Sequence, residues 1–214
     1  MEKPAKRSFL VAAAVVVLAA AVAFLLFGRG GTPSDSSADA GFARDMATHH
    51  AQAVEMSFTI RDKQPSPDIR NLAYDIITTQ SNQRGMFMGW LQQWELDQAT
   101  DLKPMAWMTG HGGHGTTPAA ANGTPGVMPG MATREELDRL KLASGKDAEV
   151  LFLQLMIRHH EGGVQMAEGL LPLSDREEVR GMAQKIVDGQ SGEIKLMTTL
   201  LKQRGAVPLP TLLK

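Results

Sequence analysis

The chain contains no cysteine. That absence removes disulfides, thiolate metal sites, thiol nucleophiles and a lipidated cysteine, so any soft metal ligand must be a methionine. An excess of charge is missing too: 22 Lys and Arg stand against 23 Asp and Glu, for a formal net charge of −1. With no basic field for nucleic acid and no acidic field for cationic partners, charge points to no nucleic-acid partner and nominates no protein partner. The Glu-x-x-His motif of a di-iron bundle is also lacking. Met46, Ala47, Met156 and Ile157 stand three positions before His49, His50, His159 and His160, which argues against an oxygen-rich iron site.

What is present is one domain's worth of chain with appendages: 214 residues, 43% hydrophobic and 21% charged. Lys3, Lys6 and Arg7 precede an unbroken apolar run from Phe9 to Phe27. As a helix this run spans about 28 Å, close to the roughly 30 Å hydrocarbon core of a bilayer, and it exceeds the usual apolar region of a cleaved signal. The expectation is a single-pass N-terminal membrane helix with the bulk of the chain extracytoplasmic. Secretion after cleavage near Gly28-Arg29-Gly30 is the alternative. A flexible stalk follows, giving a signal anchor and stalk over residues 1–37.

The rest is duplicated. "FARDMATHHAQAVEM" at residues 42–56 returns as "FLQLMIRHHEGGVQM" at 152–166, an offset of 110. The register also pairs Asp39 with Glu149, Arg70 with Arg180, Ala73 with Ala183, Ile76 with Ile186, Gln80 with Gln190 and Leu91 with Leu201. Apolar residues such as Ile69, Leu72, Ile76, Phe87 and Leu91 recur at three- and four-residue spacing, the period of one helix face, without strand-like alternation. Ser66-Pro67 suits an N-cap with proline at the first helical position, and Ser174 with Glu177 suits a capping box. Each copy therefore reads as an antiparallel helical hairpin. Two hairpins covering each other give an all-α four-helix bundle over residues 38–208, with repeat 1 at 38–98, a Gly/Pro/Met/His-rich crossover at 99–132 and repeat 2 at 133–208. Thr133 with Glu136 caps a short helix ending near Gly145, and "PLPTLLK" reads as a loosely docked tail.

On a helix advancing about 100° per residue, with Met46 at zero, His50 falls at roughly +40°, Ala53 at roughly −20°, His49 at roughly −60° and Met56 at roughly −80°. Asp39 lies on the same side. Repeat 2 gives the same face with Met156, His160, Gly163, His159 and Met166. The small residues Ala53 and Gly163 at its centre predict close approach of the two first helices. Imidazole and thioether without thiolate form the donor set expected for copper, above all Cu(I), or for Ag(I). The competing reading makes the methionines flexible core filler and the histidine pairs buried hydrogen-bonding structure. Four rings at equivalent buried positions nevertheless ask for a common cause, since an unsatisfied polar group costs about 1–3 kcal/mol. Gln80 and Gln190 either bond the histidines or satisfy one another. In the crossover, Met105, Met108, His111 and His114 recur every third residue as possible soft-metal donors, with Met128 and Met131 after them.

These signatures, with "TREELDRLKLASG" before the second, resemble the DUF305 family over about residues 38–204. The family pattern usually has Phe-Asp where this chain has Ala148-Glu149, and alanine where it has Gly163. The resemblance implies an exported, ferritin-like four-helix protein, in a family with some copper-binding members, and metal binding at Met46, His49, His50, Met56, Met156, His159, His160 and Met166. The expected function is copper sequestration or relay without catalysis. A structural or sensory bundle and a copper-dependent redox enzyme are the alternatives.

Overall fold

The computed structural model describes residues 13–19, 31–109 and 128–213. The chain divides into two compact units, Met1–Thr32 and Pro33–Lys214. In the first, residues 13–19 are helical with exposed side chains; the remainder of the apolar run lies outside the described residues. No helix among the described residues is long and apolar enough to cross a membrane. His111 and His114 likewise lie outside the described residues.

The second unit is all-helical among its described residues. Four long helices, α1 (Ala38–Arg61), α2 (Pro67–Gln93), α5 (Gly145–Leu170) and α6 (Glu177–Gln203), carry the core, with a short α3 (Ala106–Thr109) and α4 (Arg134–Leu142) between the pairs. Ser37 caps α1 by accepting from the Ala40 amide at 3.2 Å, and the Thr133–Glu136 capping box opens α4 as its spacing predicts. The box expected at Ser174 does not form. Arg176 occupies the N-cap of α6, and the Ser174 hydroxyl donates to the Asp39 carboxylate at 2.5 Å while accepting from the Arg176 amide at 3.1 Å rather than from Glu177.

Helix α1 packs on α2, α5 packs on α6, and α1 meets α5. The two first helices run antiparallel, and the core divides accordingly. One apolar cluster holds Phe42, Met46, Phe87 and Leu91 with Met166 and Ile186; the other holds Met56, Ile60 and Ile76 with Phe152, Met156 and Met197. Burying each such side chain contributes about 1.5–3 kcal/mol. Edge-to-face contacts of Phe42 with Phe87 (5.7 Å) and with Trp107 (5.9 Å) order the first cluster. On every one of the four long helices a buried polar residue separates the clusters: His49 and His50 on α1, Gln80 on α2, His159 and His160 on α5, Gln190 on α6. The bundle thus has a polar layer across its middle.

The acid near the start of α1 and its counterpart in α5 are engaged at the bundle's ends. Asp39 meets Ser174 and the Arg176 guanidinium (3.5 Å), both preceding α6, while Glu149 accepts from the Ser66 amide (2.7 Å), the Ser66 hydroxyl (2.8 Å) and Arg204 Nε (2.6 Å). Arg204 also reaches Asp68 at 3.0 Å. Although burial acts the other way, the bonds from Ser66 and Arg204 hold the Glu149 carboxyl below its ordinary range. Asp39, placed by the helical wheel on the histidine side, is therefore a brace between repeats. Replacing Arg204 with alanine is expected to cost about 1–3 kcal/mol through the carboxylates left short of partners, read as a lower urea midpoint at unchanged slope. The C-terminal tail is tied down rather than loose: Thr211 donates to Glu161 Oε1 (2.7 Å) and the Leu212 amide to Glu161 Oε2 (2.8 Å).

Candidate metal centre

Four imidazoles meet in the polar layer, and none has solvent exposure. The His49 and His159 rings, one from each repeat, lie with centroids 3.7 Å apart and planes inclined by 34°; the His160 ring is 6.3 Å from that of His159. Each outer histidine bonds a side chain of its own repeat: His50 Nε2 is 2.7 Å from Gln83 Oε1, and His160 Nε2 is 2.7 Å from Glu193 Oε2. Gln83 and Glu193 are related by the same offset of 110. Each lies three residues beyond Gln80 or Gln190 on the same helix, so the duplication carries the signal for it, although it falls outside the buried apolar stripe. Gln80 Nε2 stands 3.5 Å from His160 Nε2, at the far limit of a hydrogen bond, and Gln190 has no partner for either polar atom.

The crossover closes one side. Pro129 presents its carbonyl to His49 Nε2 at 3.0 Å. Its approach depends on two glycines: a Cβ on Gly162 would overlap the Pro129 carbonyl, and Gly130, at φ +79°, would strike Arg158 O. Gln52 pins the next turn by bonding both backbone groups of Ala132, at 2.7 and 3.0 Å. Arg158, paired with Glu136, also reaches the Met131 carbonyl. Upstream, Asp45 accepts from the Met105 amide (2.7 Å) and the Trp107 indole (2.8 Å); burial nevertheless pushes its carboxyl above the ordinary value, with those bonds opposing. Nothing in the local sequence pattern announced Pro129 as a neighbour of His49, since the two are 80 residues apart.

The expectation for Gly163 needs correction. A Cβ there would run into the side chain of Gln190, so the missing methyl makes room for a glutamine of α6 rather than for α1. Ala53 belongs to the second apolar cluster. The predicted methionines divide in pairs around the imidazoles, Met46 and Met166 in the first cluster, Met56 and Met156 in the second. Each pair draws one residue from each repeat. Met105, buried, and Met108, half-buried, belong with the first cluster, as do Met128 and Met131.

Desolvation dominates the electrostatics. It drives the His49 pKa down to about 4, with the Pro129 bond opposing and His160 adding to the fall. Desolvation and then the neighbouring His49 take His50 to about 3, against the Gln83 bond. His159 is held well below the ordinary range by burial and the other three rings. The His49 backbone carbonyl weakly favours its protonated form, yet neither ring nitrogen makes a well-formed hydrogen bond. At neutral pH, His49, His50 and His159 are therefore uncharged and retain lone pairs for a metal.

A soft cation fits this chemistry. His49 Nδ1, His50 Nδ1, both nitrogens of His159, His160 Nδ1, Gln80 Oε1 and both polar atoms of Gln190 are buried without a hydrogen-bond partner. At about 1–3 kcal/mol apiece, so many unpaired atoms in one layer are not what a purely structural hydrogen-bond network provides. Among the described residues no group of three or more His, Asp or Glu is already drawn together to hold an ion.

The profile of DUF305, a domain of unknown function, matches residues 39–201. No curated protein matches the chain in sequence. Among solved structures, a DUF305 protein of Streptomyces coelicolor inferred to be secreted is 45% identical with a TM-score of 0.74, covering 83% of this chain and 99% of its own. A DUF305 fragment from Deinococcus radiodurans is 31% identical, with a TM-score of 0.61 and coverage of 78% and 96%. CopM in its Cu(II)-bound form is 27% identical with a TM-score of 0.56, covering 78% of this chain and 97% of its own; CopM is also known bound to Cu(I), at 25% identity. The match over most of the chain, together with a relative at 45% identity, shows that this protein belongs to the DUF305 family.

Proposed function

We propose that the protein is an extracytoplasmic copper-binding protein that sequesters or relays the ion as cargo. His49, His50, His159 and His160 are the primary ligands, and Met46, Met56, Met156 and Met166 are soft donors on either side. The observation that carries this reading is the concentration of unpaired imidazole and amide atoms in one buried layer, flanked by sulfur and without thiolate. The likeness to CopM, solved with Cu(I) and with Cu(II), supports the choice of metal. A hydrogen-bonded structural layer accounts for one nitrogen each of His49, His50 and His160 but leaves His159 without a role. The bundle is ferritin-like in architecture only, since its donors are nitrogen and sulfur rather than carboxylate oxygen. Export rests on the basic start and apolar run of residues 1–37, retained as an anchor or removed as a signal, and is supported by the Streptomyces relative. Residues 38–208 then form the metal-carrying domain, with Met105, Met108, His111 and His114 of the crossover as auxiliary donors.

The test is copper binding by the wild-type chain and by a variant with His49, His50, His159 and His160 all changed to alanine, with helicity checked by circular dichroism. The wild type should retain copper through dialysis and gain thermal stability from it; binding at a hundred times the dissociation constant is worth about 2.7 kcal/mol. The variant should do neither. Equal uptake by both proteins refutes the assignment. Volume-conserving replacement of Met46 and Met166 by leucine should weaken Cu(I) more than Cu(II), because the softer ion binds thioether more strongly.

A further inference from the structure

Resting on the copper reading, we propose that Gln83 and Glu193 are positioning residues that hold His50 and His160 in the Nε2–H tautomer and thereby make Nδ1 the metal-binding atom. A neutral imidazole carries one proton, and whichever nitrogen faces an acceptor must hold it. Glu193 offers His160 Nε2 a carboxylate oxygen at 2.7 Å, which only accepts. Gln83 presents its amide oxygen to His50 Nε2 at the same distance. On His49 the carbonyl of Pro129, again an acceptor, faces Nε2 at 3.0 Å. Three rings thus have the proton placed on Nε2 by three chemically different acceptors, and in all three the remaining nitrogen, Nδ1, is buried with no partner. Those Nδ1 atoms carry the lone pairs.

The two repeats solve the same problem with different charge. Glu193 is about a quarter exposed, while its histidine is fully enclosed, so it reaches inward from the surface of α6. Its carboxylate enriches the His160 ring beyond what the neutral Gln83 does for His50, which makes the two halves of the layer unequal as donors. His159 makes no well-formed hydrogen bond through either nitrogen, so neither is committed as the protonated one.

The test reads the tautomer directly. Long-range nitrogen–proton correlation spectra of the full metal-free chain, with histidine labelled, should show pyridine-type Nδ1 and pyrrole-type Nε2 in the neutral rings of His50 and His160. Glu193→Leu should mix the His160 tautomers and weaken Cu(I) by about 10- to 100-fold, the usual effect of removing an outer-shell partner. Glu193→Gln keeps an acceptor oxygen, the arrangement of the first repeat, so it should preserve the tautomer and lose less affinity than Glu193→Leu. Gln83→Leu should do to His50 what Glu193→Leu does to His160. A wild-type spectrum with the proton on Nδ1 overturns the proposal, as does a tautomer change in Glu193→Leu with copper affinity untouched. Failure of the wild-type chain to bind copper defeats the underlying function separately, since the tautomer is measured without metal.

Discussion

Acidifying the metal-free protein from pH 7 to pH 4 is expected to remove about 3 kcal/mol of stability through His49 and a similar amount through His50. Both pKa values are depressed in the folded state, to about 4 and about 3, from an ordinary 6.5. The unfolded chain therefore takes up protons first. Stability is intact above the unfolded value of 6.5 and is lost as the pH falls toward the folded values, below which no further loss comes from these groups. His159, lowered in the same direction, adds to the effect. Because a domain of this kind has about 5–15 kcal/mol in total, loss on this scale brings the protein near unfolding by pH 4. Chemical denaturation at pH 7, 5.5 and 4 measures it. The paired carboxylates act in a lower window: Glu136, where burial is outweighed by the bonds from Arg158 and Thr133, and Glu149 contribute above an ordinary 4.5 and are lost only below it. A denaturation midpoint that stays level from pH 7 to 5 and falls only afterwards would show that the imidazoles are not the groups responsible. In the four-alanine variant the upper part of the slope should vanish even if the protein is less stable throughout.

Gly162→Ala should destabilise the protein by about 1–3 kcal/mol, whereas the same change at Gly189 should stabilise it by up to about 1 kcal/mol. Both glycines lie inside long helices, where alanine is intrinsically favoured. The difference is what the methyl meets. At Gly189 there is nothing within 4 Å, and helix propensity decides the sign; at Gly162 the methyl would overlap the carbonyl of Pro129 and stand 2.9 Å from Gly130 Cα, backbone that cannot swing aside. Relieving the overlap lifts residues 129–130 off α5 and breaks the bond to His49, exposing Nε2 of that ring. Gly130→Ala should have a similar cost, from its φ of +79° and its contact with Arg158 O, and the double variant should be less than additive because both changes break one contact. Thermal unfolding of the four variants beside the wild type checks the signs. Stabilisation by Gly162→Ala would mean that the crossover does not rest on the helix there.

The bundle was legible in the sequence because its information is local and repeated. A helical face shows in a few turns, and the offset of 110 displayed it twice, so two hairpins with histidines and methionines on their inner stripes followed from periodicity alone. The same local reading misassigned whatever depends on a partner from elsewhere in the chain. Ser174 has the spacing of a capping box, but its hydroxyl donates to Asp39, 135 residues away, and accepts from the Arg176 amide instead of that of Glu177. Gly163 looks like a point of helix approach, yet its space is taken by Gln190.

What the sequence by itself determined was the kind of donor available, the helical hairpins that carry it and the symmetry relating them, since each is a matter of residue type and spacing along one helix. What only the tertiary structure decided was which atoms of those donors remain open. Met46 joins Met166 rather than Met156 because the first helices run antiparallel, and the proton on His49 is fixed by a carbonyl brought in by a crossover that only glycine backbone admits. Hydrogen bonds between distant segments are set by packing, and they leave no periodic trace in the chain.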